Sequence, residues 1–227
     1  RPALLEALGQ ENPFVRAAAA GALKSFTDND SVADALETHW SDGDPSYKVE
    51  SEVLKSLARL RELPLKSLEE ALTRESHREV IRLAALGAMV RHKDARATDV
   101  LLKWSRADRP RRCRMGAITA LGERVVRQKT PDAVTESVVK MLAGLLESSG
   151  PRIRGAALQA LRRLGESAKA AESVVSSLAE HDPETRVQVA ARAALKAMQT
   201  AKSSSGELDR LRGELDSALS LDALTAA

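Results

Sequence analysis

GPRIRGAALQALRRLG, residues 150–165, is the stretch that decides the fold. Counting from Ile153, apolar or small residues stand at offsets 0, 4, 7 and 8, which is one stripe of a helix with 3.6 residues per turn. The small residues Ala157 and Ala160 in that stripe allow a second helix to approach closely. The segment therefore predicts an amphipathic helix that packs against a neighbouring helix.

The same spacing recurs along the chain, so Ile153 is one of six equivalent anchor residues. The other anchors are Val15, Val49, Ile81, Cys113 and Val187. Successive anchors are 32 to 40 residues apart, a period typical of helical solenoids. A second apolar stripe precedes most anchors, so each repeat is predicted to be a pair of helices. The predicted fold class is all-α, an α-α superhelix of about six helix pairs plus a C-terminal capping helix.

The composition changes near the end of the chain. Residues 1–200 are predicted to form the repeat solenoid, the polar segment 201–206 a linker, and residues 207–227 an amphipathic helix. We expect this helix to cap the last repeat, with a short coiled coil to another chain as the alternative. Because the sequence begins with Arg1 rather than Met, we also expect a fragment of a longer protein.

One interval between anchors is longer than the others. Cys113 and Ile153 are separated by 40 residues. The apolar pattern predicts a longer first helix over residues 132–147 and a longer loop near residues 127–131.

The composition excludes several classes of protein. Of the 227 residues, 43% are hydrophobic but only 2% are aromatic, which favours a helical core of Ala, Leu and Val. The single cysteine, Cys113, excludes an intramolecular disulfide and a cysteine-rich zinc module. No apolar run is long enough to span a bilayer, and the first residues lack the pattern of a signal peptide. A soluble, cytoplasmic protein without a membrane partner is favoured.

No catalytic, cofactor-binding or metal-binding residue is predicted. The histidines lack HExxH spacing and are scattered over positions His39, His77, His92 and His181. Cys113 stands at an anchor position and is predicted to be a buried apolar thiol rather than a nucleophile. Trp40 and Trp104 stand where other repeats have leucine and are predicted to lie in the core.

Arginines directly follow four of the anchors. They are Arg16, Arg82, Arg114 and Arg154. Aspartates that could cap the second helices stand five residues before three anchors, at Asp44, Asp108 and Asp182. We predict that these arginines and aspartates form a ladder of charge-assisted hydrogen bonds along the stack, which is a structural role.

The middle third of the chain is basic. The net charge is −5 for residues 1–73, +9 for residues 74–129 and −1 for the remainder. A candidate interaction patch consists of Arg106, Arg109, Arg111 and Arg112, with further cations such as Arg91, Arg124 and Arg127 on neighbouring segments. Such a patch suits an acidic protein face or nucleic-acid phosphates. Because aromatic residues for base stacking are scarce, nucleic acid is the less favoured partner.

The helix-start pattern resembles HEAT repeats over nearly the whole chain. More narrowly, the order of DPSYKVESEVLKSLARL (44–60), LLKWSRADRPRRCRMGAITALGERV (101–125), GPRIRGAALQALRRLG (150–165) and ELDRLRGELDSAL (207–219) is similar to the C-terminal HEAT-like region of bacterial aminopeptidase N-type zinc metallopeptidases. In that family an upstream domain carries HExxH and the zinc ion. Neither that motif nor GxMEN occurs in these residues, so no catalytic residue can be assigned.

The resemblance implies a non-catalytic accessory domain packed on an upstream peptidase domain, with zinc held there and no cofactor in this fragment. The first alternative is a free-standing HEAT-repeat scaffold or adaptor that binds a partner protein. The second is a HEAT-like DNA-binding protein that uses the basic middle repeats.

Overall fold

The computed structural model describes residues 2–27, 29–148 and 150–199, and every regular element within them is a helix. The predicted all-α class, built of paired helices in successive repeats, is confirmed. The chain divides into two compact units, Arg1–Thr130 and Pro131–Ala227. The predicted linker 201–206 and capping helix 207–227 lie outside the described residues.

The described part of the first unit contains eight α-helices. They are α1 (Pro2–Ala7), α2 (Pro13–Leu23), α3 (Asp30–Asp42), α4 (Tyr47–Leu60), α5 (Leu65–Thr73), α6 (Val80–Ala88), α7 (Arg96–Trp104) and α8 (Arg111–Gln128), and a 3-10 turn over His77–Glu79 precedes α6. Helices α3 and α4, α5 and α6, and α7 and α8 form pairs. In addition α2, α4, α6 and α8 pack on one another in succession, and we call these four helices the second-helix layer.

The anchor residues explain why these helices pack. Val49, Ile81 and Cys113 are completely buried. The anchor of α2 differs, because Val15 is 42% exposed. The expected equivalence of Val15 with the other anchors is therefore wrong for burial, since within the described residues no member of the second-helix layer precedes α2 to cover that position. The buried face of α2 is made by Ala17, Ala19, Ala20 and Leu23 instead.

Local signals fix where the first helices begin and end. Asn12 accepts a hydrogen bond from the backbone N–H of Phe14 at 2.9 Å, with Pro13 in the first turn of α2. Asn29 caps α3 by accepting from the N–H of Val32 at 3.2 Å. Gly43 ends α3 with φ of +78°, a conformation that favours glycine.

The long interval before Ile153 is taken up by helix rather than by loop. Helix α8 has 18 residues and continues to Gln128, and α9 (Asp132–Ser148) has 17. Only residues 129–131 connect them. The longer helix α9 is confirmed, whereas the longer loop near 127–131 is wrong, because the apolar face of α8 continues through the buried Val125.

The second unit begins with α9 and α10 (Pro151–Leu164), followed by a 3-10 segment over Gly165–Ala171, α11 (Glu172–His181) and a helix over residues 185–199, called α12. The quoted stretch 150–165 is α10, and Ile153, Ala157 and Leu161 face its core as predicted. Helix α9 packs on α10, on the 3-10 segment and on α11.

Candidate protein-interaction surface

Two of the predicted arginine and aspartate pairs come together, each through two hydrogen bonds. Arg16 donates from Nε and Nη2 to the carboxylate of Asp44 at 2.8 and 2.9 Å. Arg154 reaches Asp182 in the same way at 2.7 and 2.9 Å. Both carboxylates are buried and also accept the backbone N–H two residues later, at Ser46 or Glu184. Each carboxylate thus orders the turn before a second helix rather than capping the helix itself.

These contacts determine the charge state of the two aspartates. Burial by itself raises the pKa of Asp44, but hydrogen bonds from Arg16, the Ser46 N–H and His39 outweigh it and leave the pKa below its usual value. Burial likewise opposes a lowered pKa at Asp182, where Arg154 and the Glu184 N–H prevail. Both groups are therefore carboxylates at neutral pH.

The remaining members of the predicted ladder have other contacts. Arg82 donates to the carbonyl oxygen of Leu72 at 2.9 Å, and Arg114 donates to that of Ser105 at 3.2 Å. Asp108 is 63% exposed and lies 3.5 Å from the adjacent Arg109. Arg82 and Arg114 therefore satisfy carbonyl groups at the ends of the first helices, and Asp108 stands outside the ladder.

Glu50 forms an ion pair in which the acidic residue, rather than the arginine, follows the anchor. It follows the anchor Val49, where four of the other five repeats have arginine, and it is only 3% exposed. The guanidinium of Arg74 donates to one of its carboxylate oxygens and lies over the ring of Trp40, 4.9 Å from its centroid. The other carboxylate oxygen of Glu50 is buried without a hydrogen-bond partner.

The predicted interaction patch lies on the loop between α7 and α8 and on the first turn of α8. Arg106, Arg111 and Arg112 are exposed, whereas Arg109 is half-buried over the ring of Trp104, 4.8 Å from its centroid. The patch thus offers three exposed cations, and the fourth is held by packing.

Arg124 does not belong to the basic surface predicted around it. It is 2% exposed and donates to Thr98 Oγ1 and to the carbonyl oxygens of Met89, His92 and Asp94. Burial lowers its pKa, while the nearby carboxylates of Asp94 and Glu62 act in the opposite direction. Arg124 fixes the loop between α6 and α7 against α8, a structural role that the sequence pattern does not reveal.

A groove between α4 and α6 is the main surface feature that the sequence analysis missed. Its first part is a cavity of about 380 Å³, within the range of roughly 300–1,000 Å³ found for ligand pockets. A second cavity of about 260 Å³ shares four of its lining residues and continues to the loops that follow the two helices. The shared wall consists of Ala58, Arg59, Ala88 and Arg91.

The groove has an apolar floor and a basic rim. Its first part is lined by the small or apolar residues Ala58, Leu83, Ala84, Gly87 and Ala88 and by the cations Lys24, Lys55, Arg59 and Arg91. No acidic residue is among them. Lys55 pairs with Glu52 at 2.8 Å, but Lys24, Arg59 and Arg91 make no ion pair with any residue that the structure describes. Arg59 and Arg91 both stand ten residues after an anchor, a signal that was present in the sequence.

Cys113 is buried, as predicted, and its thiol donates to Glu79 Oε2 at 3.7 Å. Burial, followed by the nearby negative charge of Glu79, raises its pKa to about 11. Within the described ranges no three His, Cys, Asp or Glu side chains come together as a metal site would require. The same residues contain no helix long and apolar enough to cross a membrane.

Comparison with known proteins identifies similar repeat sequences and similar folds. Residues 114–196 match the family of HEAT repeats. Two engineered proteins of known crystal structure resemble the chain: one is 18% identical with a TM-score of 0.51, covering 87% of this chain and 98% of the other. The second is 19% identical with a TM-score of 0.50, covering 87% and 96%. No curated protein sequence matches. The chain thus has a helical-repeat fold, and its residues 114–196 are similar to HEAT repeats.

Proposed function

We propose that this chain is a helical-repeat scaffold that binds a partner protein through the second-helix layer of its first unit. The observation that carries the proposal is the direct packing of α2, α4, α6 and α8 on one another. Four adjacent helices then present their exposed side chains as one surface. Rigid surfaces of this kind suit the binding of extended partners, which is how repeat proteins commonly act.

The side chains on this layer support the same conclusion. The position six residues after the anchor is not buried in any of three successive helices of the layer. It is occupied by Lys55 on α4, Gly87 on α6 and Thr119 on α8. The buried core of these helices is formed by the anchors and by the alanines that follow them in the same stripe. The exposed cations of the layer are thus not needed to hold the repeats together.

A crosslinking experiment tests the location. A photoreactive amino acid is placed at the position of Lys55 or Thr119 and, as a matched control, at the exposed positions of Glu70 on α5 or Asp99 on α7. In the cells that make the protein, we expect adducts with one defined protein from the second-helix positions and none from the controls. Equal crosslinking from both sets, adducts with nucleic acid alone, or no adducts would overturn the proposal.

The narrower function, an accessory domain of a zinc aminopeptidase, rests on the sequence resemblance alone. None of the comparisons names a peptidase. Its test is the complete reading frame: a HExxH motif within a few hundred residues upstream of Arg1 supports the aminopeptidase hypothesis, and its absence removes it. The zinc ion of that hypothesis belongs to the upstream domain, and the described residues supply no site for it.

A further inference from the structure

The groove between α4 and α6 differs from the corresponding gap between α6 and α8. At Gly116 on α8, an added Cβ would lie 2.6 Å from Leu83 Cδ2, so the side chain of Leu83 fills that gap. At Gly87 on α6, an added Cβ would meet no atom within 4 Å. The first gap is therefore open at Gly87, while the next one is filled at Gly116.

Two of the cations that line the open groove, Arg59 and Arg91, are close to each other. Burial lowers the pKa of Arg91, and the positive charges of Arg127 on α8 and of Arg59 lower it further, so both arginines are near it. Cations near helix C-termini are favoured by the helix dipole, which accounts for one such residue on each helix. It does not account for placing Arg91 near both Arg59 and Arg127, because like charges repel and none of the three is paired with a carboxylate among the described residues.

We propose that this groove binds an acidic peptide segment of the partner protein, with apolar side chains on its floor and carboxylates on Lys24, Arg59 and Arg91. Charge complementarity identifies the occupant, because every charged residue that lines the first cavity is a cation. The inference rests on the proposed scaffold function and adds the chemistry of the partner.

The floor of the groove favours a peptide over a nucleic acid. Ala58, Ala84, Gly87 and Ala88 offer an apolar surface for aliphatic side chains. No aromatic residue lines either cavity, and base stacking on aromatic rings is what sequence-tolerant binding of single strands requires. An aliphatic side chain of the bound peptide, such as leucine, would contact Leu83 and Gly87 on this floor.

The test uses a fluorescein-labelled peptide made of repeated Glu-Glu-Leu triplets. Its binding is measured by fluorescence anisotropy at low ionic strength, where interactions between charges are least screened. The same peptide with Gln in place of Glu and a single-stranded oligonucleotide of equal charge are measured in parallel. We expect the acidic peptide to bind more tightly than both of the other probes.

Two sets of variants assign the site. Arg59→Ser combined with Arg91→Ser removes the two neighbouring cations of the groove wall, and we expect the affinity for the acidic peptide to fall roughly tenfold or more. Gly87→Leu fills the groove without meeting any neighbouring atom at its Cβ, and we expect a similar loss with the charges unchanged. The matched controls are Arg163→Ser, at the same register in α10, and Gly155→Leu, whose Cβ also meets open space; both should bind as the parent does.

Circular dichroism establishes that each variant is folded. Peptide binding that survives both sets of groove variants would overturn the inference. So would tighter binding of the oligonucleotide that depends on Arg59 and Arg91 but not on Gly87, which would assign the groove to nucleic acid. If the peptide fails to bind while crosslinks from Lys55 and Thr119 still capture one protein, the acidic-peptide inference falls and the scaffold function stands.

Discussion

The contact from α2 to α4 and the contact from α4 to α6 use related positions with opposite charges. In the first, Arg16 follows the anchor and meets Asp44 in the next loop. In the second, Glu50 follows the anchor and meets Arg74 in the next loop. In both repeats an ion pair joins the residue after the anchor to the loop before the next second helix. The acidic and basic partners have exchanged places between the two repeats.

The two pairs differ in how much of their charge is shielded from water. Both partners of the first pair are largely buried, with side-chain exposures of 11% for Arg16 and 2% for Asp44. In the second pair Arg74 is 39% exposed, and one oxygen of Glu50 lacks a partner. The first pair is thus fully satisfied, and the second leaves one buried polar atom uncompensated.

The largest expected effect is the loss of the satisfied pair. Asp44→Ala removes the buried carboxylate that accepts two hydrogen bonds from Arg16 and one from the Ser46 N–H, and losing this acceptor should lower the unfolding free energy by about 3 kcal/mol or more. Glu50→Gln should change it by less than about 1 kcal/mol, because Arg74 is 39% exposed and remains hydrated while a buried negative charge is removed. Urea unfolding followed by tryptophan fluorescence measures both, since Trp40 and Trp104 lie in the first unit. Equal losses would show that the two pairs are energetically alike.

The next effect tests whether the core is equivalent in repeats whose charges differ. Leu57 in α4 and Leu161 in α10 stand eight residues after their anchors, and both are fully buried. Replacement of either by alanine should cost about 2–5 kcal/mol. Thermal unfolding followed by circular dichroism provides the measurement, and the exposed Arg163→Ala serves as the control with little change. A small effect at either leucine would contradict the common register.

A smaller effect is expected on the stability of the protein at acidic pH. The pKa values of Asp44 and Asp182 are lowered in the folded protein, so both bind protons more readily when unfolded. Their contribution to stability is complete above the unfolded value of about 3.9 and is lost as the pH falls through the lower folded values. Urea unfolding measured from pH 7 down to acid should show this loss. The double variant Asp44→Asn and Asp182→Asn should depend less on pH, and an unchanged slope would contradict the assignment.

The smallest effect concerns the anchors, where Cys113 stands in place of an aliphatic residue. Because its pKa is raised to about 11 and the side chain is buried, native protein should react with a thiol reagent at pH 8 far more slowly than unfolded protein. Cys113→Val should alter stability by less than about 1.5 kcal/mol, as similar-volume core exchanges do. Rapid labelling of the native thiol would mean that this anchor is accessible.

The sequence by itself determined the repeat architecture, because apolar periodicity is a local property that survives without coordinates. The stripe from Ile153 to Leu161 predicted which residues of α10 are buried, and the same stripe located α4, α6 and α8. It also placed Arg16 and Arg154 beside a second-helix turn, since the spacing of anchor and aspartate repeats.

Only the tertiary structure decided which charges are structural and which remain on the surface. Arg124 and Arg91 look alike in sequence, yet one is surrounded by carbonyl oxygens and the other lines an open groove. The difference depends on where the loop between α6 and α7 turns back and on whether a side chain such as that of Leu83 fills the gap between neighbouring helices or a glycine such as Gly87 leaves it open. Those distances join residues far apart in the chain, so no local pattern contains them.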